Sequence, residues 1–395
     1  MTTEAVAPAV EPTEPRKPRR WIKAILITIL AIVVFLIALI IGVLLFFHIP
    51  SNSAGLAAQT VCSGTFVSGR NAEDVFTEDV LPQSPALSVV STSADQTGRT
   101  VTAKFLGIVE RRASLLPNRG CVLDEDADPA AQPFTAQPAN PAPWPVGDAA
   151  VPPTQWGAGV NVTGLQQVVD QAFVGAGDPN AGNARGLAVV QDGKLLIQKQ
   201  ATGFPKDMPL LGWSMTKTIN MMTFYKKAQE TNFDMNQLVI NAFPANREPS
   251  WVAQWRQDPQ KSQIKVTDLM FMKSGLDIED DYGPQGKVVQ MLYGEPSMAG
   301  FAASQPMAHA PGTSWGYSTG SSDIISQIAQ GMFPDDQAYW QYWQKSVFEP
   351  IGVNSGTFAT DTLGTWVGGS YVWANTGDWA KLGQLMLNDG AWNSQ

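Results

Sequence analysis

The chain has 395 residues, 15% of them charged, and a formal net charge of −9. That length accommodates one large domain plus appendages. Its basic residues cluster only in the N-terminal run RKPRRWIK, so it lacks the concentrated Lys and Arg that a phosphate backbone requires, and nucleic acid is excluded as a partner.

Residues 1–20, rich in Pro, Glu and Ala, predict a disordered basic tail. The run Ala24–Phe47 carries no charge. As a helix it would be about 36 Å long, enough to cross a hydrocarbon core of about 30 Å. A signal peptide would have a shorter apolar region and a small-residue cleavage site, whereas this run ends in Phe46, Phe47, His48 and Pro50. A buried core helix of that length would still show a polar face. The expectation is therefore one uncleaved transmembrane anchor over 21–48 in the cytoplasmic (inner) membrane. Arg16, Lys17, Arg19, Arg20 and Lys23 precede it, which keeps the N-terminus in the cytoplasm and puts the rest in an extracytoplasmic or periplasmic space. Cys62 and Cys121 both fall on that outer side, where an oxidising compartment favours a disulfide; two free buried thiols are the alternative.

Residues 49–123 contain strand-like pieces, GTFVSGR and RTVTAKFLGIV, and predict a small N-terminal segment. Residues 124–158 are dense in Pro, Ala and acid and predict an extended linker. From 159 the pattern becomes that of a folded domain. NVTGLQQVVDQAF has helical apolar spacing, with Asn161 or Thr163 as cap. Two apolar runs joined by Asp192-Gly193 predict a hairpin. WSMTKTINMMTFYKKAQ predicts a helix with Ser214 near its start. KVTDLMFMKSGL predicts another, capped at Thr267 and closed by Gly275. TGDWAKLGQLMLNDG is an amphipathic helix, and Asn375-Thr376-Gly377 reads as its cap. The fold class is α+β, an antiparallel sheet with helices gathered on it and a helical insertion.

Ser214 and Lys217 are the leading chemical pair. A serine hydroxyl needs a base, and a lysine three residues later projects from the same helix face. Burial of that face would make a neutral amine accessible. The first turn of a helix also favours developing oxyanion charge, which makes the Ser214 backbone N–H a candidate oxyanion donor. The alternative is two ordinary residues on a surface helix. Ser262-Gln-Ile-Lys265 has the same spacing but sits in a polar stretch. Gly312-Thr-Ser314-Trp-Gly316 fits a nucleophile elbow, with His309 nearby, yet Pro311 precedes it, a turn follows, and no histidine follows it. Two histidines and no H-E-x-x-H or C-x-x-C predict neither a metal nor an organic cofactor. The acidic run Asp277, Glu279, Asp280 and Asp281 reads as solvated loop or as an attractor for a cationic amine.

Three stretches together resemble the penicillin-recognising serine hydrolases, in the branch of class C β-lactamases, esterases and 6-aminohexanoate-oligomer hydrolases. They are WSMTK, VTDLMFMKSGLD and APGTSWGYSTGSSDIISQI. The hairpin VVQDGKLLIQ also matches that family's opening strands. The resemblance implies a β-lactamase/transpeptidase-like fold, Ser214 as acylated nucleophile, Lys217 as its base partner, and Tyr317 as the tyrosine that relays a proton to the leaving group. Trp213, Trp315 and Thr319 flank or sit in these boxes as candidate substrate contacts, with core packing the alternative for the two tryptophans. Tyr317-Ser318-Thr319 stands where the family has Y-x-N, which favours an esterase or amidase over β-lactam hydrolysis. The family's third box, K-T-G or H-x-G on a late strand, has no counterpart, so a C-terminally incomplete domain lacking the second oxyanion donor is expected. The implied partner is a small amide or ester. A non-catalytic binding or sensor module and a D,D-peptidase acting on cell-wall peptides are the rivals.

Overall fold

A computed structural model describes residues 20–46, 48–136, 138, 140–175, 184–278, 280–283 and 285–392. Of the expected tail at 1–20, residues 1–19 lie outside the described residues, as does Glu279. The chain divides into two units, 1–47 and 48–395. The first holds helix α1 (Arg20–Phe46), whose stretch Trp21–Leu39 has mean hydropathy 3.0 and is long and apolar enough to cross a membrane.

The second unit opens with α2 (Ile49–Cys62) and α3 (Ala72–Val75). GTFVSGR, expected as strand, instead extends α2 through a π-helical turn at Ser63–Val67. The turn keeps Phe66 and Val67 on the buried face that α2 presents, 2% and 5% exposed. Strands β1 (Val90–Asp95), β2 (Thr100–Phe105), β3 (Val109–Leu116) and β4 (Gly120–Leu123) form an antiparallel meander. A disulfide joins Cys62 at the end of α2 to Cys121 in β4, with the Cα atoms 6.0 Å apart. Gly55 lets α2 approach the rest of the unit: a Cβ there would lie 2.2 Å from the Tyr293 carbonyl oxygen. The 124–158 stretch is mostly irregular but strapped down. Phe134 N–H donates to the Phe66 carbonyl at 2.6 Å and Val151 N–H to that of Leu195 at 2.9 Å.

Helix α4 (Val162–Gln171) is capped by Asn161, whose side chain accepts from Gly164 N–H. β5 (Gly186–Gln191) and β6 (Lys194–Gln200) make the Asp192-Gly193 hairpin, with φ of 49° and 71° at the turn, the left-handed geometry this pair favours. β7 (Leu210–Leu211) leads into α5 (Met215–Glu230). A helical insertion follows: α6 (Ser250–Gln257), α7 (Val266–Met270), α8 (Lys287–Gly294), α9 (Met298–Ser304), α10 (Thr319–Gly331) and α11 (Asp336–Trp343). α7 is shorter than expected and is not capped at Thr267. The Asp268 carboxylate accepts Lys265 N–H at 2.9 Å, and Met272, in left-handed backbone at φ 56°, ends the element before Gly275. β8 (Thr357–Phe358) and β9 (Val372–Ala374) join β7 in an antiparallel sheet of order β7-β9-β8, and α12 (Thr376–Leu387) closes the described chain, capped by Asn375.

Arg119, just before β4, ties the meander to the segment after β8 by donating to Thr360 Oγ1 and the Asp361 carbonyl. Asp361 accepts the N–H groups of Thr365 and Met298. Burial nevertheless pushes its carboxyl up to about 7, only partly offset by those N–H groups and by Arg119. The folded state therefore holds this proton where the unfolded chain has released it. The resulting stability is complete below about pH 4 and is lost as pH rises through 7, a span worth roughly 4 kcal/mol. Thermal unfolding across pH 4–8 should show a falling midpoint. In Asp361→Asn that descent should flatten, although the amide, facing two N–H donors, lowers stability at every pH. An unchanged slope in the variant would move the effect to another group.

Candidate active site

Ser214 stands where β7 turns into α5. Gly212 N–H donates to the Val372 carbonyl at 2.8 Å, and Thr216 Oγ1 accepts Val372 N–H at 3.0 Å, so β9 holds both sides of the turn. Only glycine fits at 212, because a Cβ would lie 2.2 Å from the Trp379 ring. Trp213 is left-handed at φ 45°, a conformation costly for a bulky residue that here rolls Ser214 onto the helix start. The bonds of the first turn begin at Met215 N–H, with Met215 to Gly212, Thr216 to Trp213 and Lys217 to Ser214.

Lys217 is 7% exposed. Its Nζ lies 3.1 Å from Ser214 Oγ, 2.8 Å from Thr319 Oγ1 and 2.9 Å from the Gly369 carbonyl oxygen. Thr319 Oγ1 donates in turn to Asp280 Oδ2 at 2.6 Å, and Thr319 N–H donates to Asp280 Oδ1 at 2.7 Å. The Asp280 carboxylate thus sits at the start of α10, where the helix dipole favours an anion, and 4.0 Å from Lys217 Nζ. One turn along α10, Asp323 accepts Gly369 N–H at 3.0 Å. Burial pushes the Asp323 carboxyl well above the usual carboxylate range. Gly369 fits this position because a Cβ would meet the Thr319 side chain at 2.4 Å.

This network sorts the expected residues. Ser214 and Lys217 are brought together. Tyr317 is beside them, 39% exposed, but its ring face rather than its hydroxyl meets Lys217, with Nζ 4.7 Å from the centroid. Among the described residues no hydrogen bond joins its hydroxyl to either partner. Trp315 is 62% exposed and its ring lies 6.4 Å from that of Tyr317. Thr319, expected to touch substrate, is fully buried, and its hydroxyl bonds Lys217 and Asp280. Asp280 was legible only as one acid in a solvated run. Of its neighbours, Asp277 pairs with Lys287 at 2.7 Å and Asp281 accepts Gly283 N–H. Ser314 lies in a loop pinned by Gly312 and Gly316 to residues 272–273, not between a strand and a helix. Ser262 Oγ accepts from Gln263, and no bond links it to Lys265 among the described residues.

If Asp280 holds Thr319 and Lys217 in register, Asp280→Asn should lower kcat about 10- to 100-fold while changing KM less than threefold. Steady-state kinetics on a small ester checks this. A rise in KM at constant kcat would instead make Asp280 a substrate contact.

The β-lactamase family profile matches residues 161–391, more than half of the chain. No curated protein matches. Similar solved structures include a Bacillus anthracis protein described as a 6-aminohexanoate-dimer hydrolase (16% identity, TM-score 0.44, covering 58% of this chain and 58% of that one). They also include an octameric penicillin-binding protein homologue from Pyrococcus abyssi (16%, 0.42, 59% and 57%). A third is a β-lactamase/D-alanine carboxypeptidase from Yersinia pestis (16%, 0.41, 57% and 69%). The chain thus spans less than two thirds of the length of the first two. On the match over 161–391, the chain belongs to the β-lactamase family.

Proposed function

We propose that the protein is a membrane-anchored serine hydrolase that cleaves a small amide or ester through an acyl-enzyme on Ser214, with its folded unit outside the cytoplasm. One observation carries the reading: the hydrogen-bond directions around Lys217. The Asp280 carboxylate can only accept, so the Thr319 hydroxyl donates to it, and the Thr319 oxygen must accept from Lys217. The Gly369 carbonyl also only accepts. Thr319 and Gly369 thus take two of the Lys217 N–H groups. The third direction of Nζ points at Ser214 Oγ, 3.1 Å away and, among these partners, the one that can also donate; once the ammonium gives up that proton, the same contact lets the amine accept from the serine.

Ser214 Oγ then attacks the substrate carbonyl carbon as its proton passes to Lys217 Nζ. The Ser214 N–H at the start of α5 faces the developing oxyanion. The proton returns to the leaving alcohol or amine, directly or through Tyr317 after its side chain turns. Water repeats the sequence on the ester of Ser214 and releases the acid. The basic residues before α1 and its apolar length support anchoring with the N-terminus in the cytoplasm.

An acyl-enzyme makes a prediction about partitioning. With methanol as a competing acceptor, p-nitrophenyl butyrate and phenyl butyrate should give the same ratio of methyl ester to acid, because both pass through one intermediate. A ratio that depends on the leaving group, or no turnover of either ester, would sink the reading.

A further inference from the structure

Beside the site lies a cleft of about 460 Å³, within the range of roughly 300–1,000 Å³ usual for small-molecule pockets. One wall is built by Ile49, Leu56 and Leu87, from α2 and the short 3-10 turn Pro85–Val89. Trp213, Tyr282 and Tyr293 also line the cleft. Trp213 directly precedes Ser214, so their Cα atoms are about 3.8 Å apart. The Tyr282 hydroxyl lies 3.4 Å from Asp280 Oδ2, the carboxylate that holds the Lys217 network. The cleft therefore borders the residue before the proposed nucleophile and the carboxylate behind Lys217, while Ser214 and Lys217 do not themselves line it.

Its chemistry is specific. Among the described residues, no Asp, Glu, Lys, Arg or His lines it. A cationic amine thus meets no anion among the described residues lining the cleft, and nearby Asp280 is committed to Thr319. Asn52, 3% exposed, also lines the cleft, and its carboxamide oxygen has no partner among the described residues. The wall of Ile49, Leu56 and Leu87 comes from residues outside 161–391, so it is an addition to the hydrolase body rather than part of the matched stretch.

We propose that this cleft receives the unbranched apolar acyl chain of the carbonyl substrate, and that the N-terminal segment thereby sets selectivity for esters or amides of medium-chain acids. This rests on the Ser214 reading. Burying each added methylene favours the bound state about fourfold, so kcat/KM should climb steeply with chain length until the cleft is full and then level off.

The test uses the full chain in detergent with p-nitrophenyl esters from acetate to dodecanoate. A rise of about 10²-fold or more between acetate and octanoate is expected. In Ile49→Trp and Leu87→Phe, which fill the cleft from its half-buried and its buried side, the octanoate-to-acetate ratio should collapse at least tenfold. A second measurement does not depend on turnover. Ser214→Ala should bind dansyl-undecanoate, and adding Ile49→Trp should weaken that binding at least tenfold. Acetate hydrolysis with a flat chain-length profile and no probe binding would overturn the cleft while leaving the nucleophile in place. Probe binding weakened by Ile49→Trp, in a protein that hydrolyses no ester, would uphold the cleft and sink the Ser214 reading.

Discussion

In Ser214→Ala, hydrolysis of a small activated ester is expected to fall by about 10⁴-fold or more, to the buffer rate, with little change in the thermal midpoint. The two halves of this expectation come from different features. Ser214 Oγ is the atom that would bond to the acyl carbon, and alanine has nothing to replace it. Structurally, that oxygen's one described partner is Lys217, which keeps Thr319 and the Gly369 carbonyl when it is gone. Ser214 is also only half-buried, so no sealed cavity is left. Esterase assays beside thermal melts check both halves. Retained turnover would move the nucleophile elsewhere.

Lys217→Ala is expected to lower kcat by about 10²–10⁴-fold and to destabilise the fold as well. The catalytic loss follows from removing the only amine facing Ser214 Oγ among the described residues. The stability loss follows from Asp280, whose side chain is 7% exposed and loses the cation 4.0 Å away. Leaving one member of a buried pair alone typically costs about 3–5 kcal/mol. The double variant Lys217→Ala/Asp280→Asn separates the two effects. It should regain much of the stability and none of the activity, measured by chemical denaturation and ester turnover. A double variant as unstable as Lys217→Ala alone would mean that the orphaned carboxylate is not the cause.

Much of this site could be read from local pattern. The serine–lysine spacing puts both side chains on one face of α5 whatever the rest of the chain does. The Asp192-Gly193 turn, the Asn161 cap and the α12 cap at Asn375 are likewise local, and each formed as its residues dictate. What could not be read was set by distant segments. Asp280 looks like any acid in DIEDD until the start of α10 arrives to donate to it from residue 319. Thr319 looks like a substrate contact by its place in YST, yet tertiary packing buries it under Lys217. GTFVSGR alternates like a strand, but the α2 face that buries Phe66 and Val67 carries it on as helix. The N-terminal wall of the cleft has no motif at all, because it exists only where α2 meets Trp213 and Tyr282.

The most direct test of the central claim is to treat the protein with a fluorophosphonate and map the adduct by peptide mass spectrometry. One adduct per chain on the peptide carrying Ser214, absent from Ser214→Ala and formed far more slowly in Lys217→Ala, is the predicted result. An adduct on Ser314 or Ser262, or labelling at Ser214 that is as fast without Lys217, would contradict it.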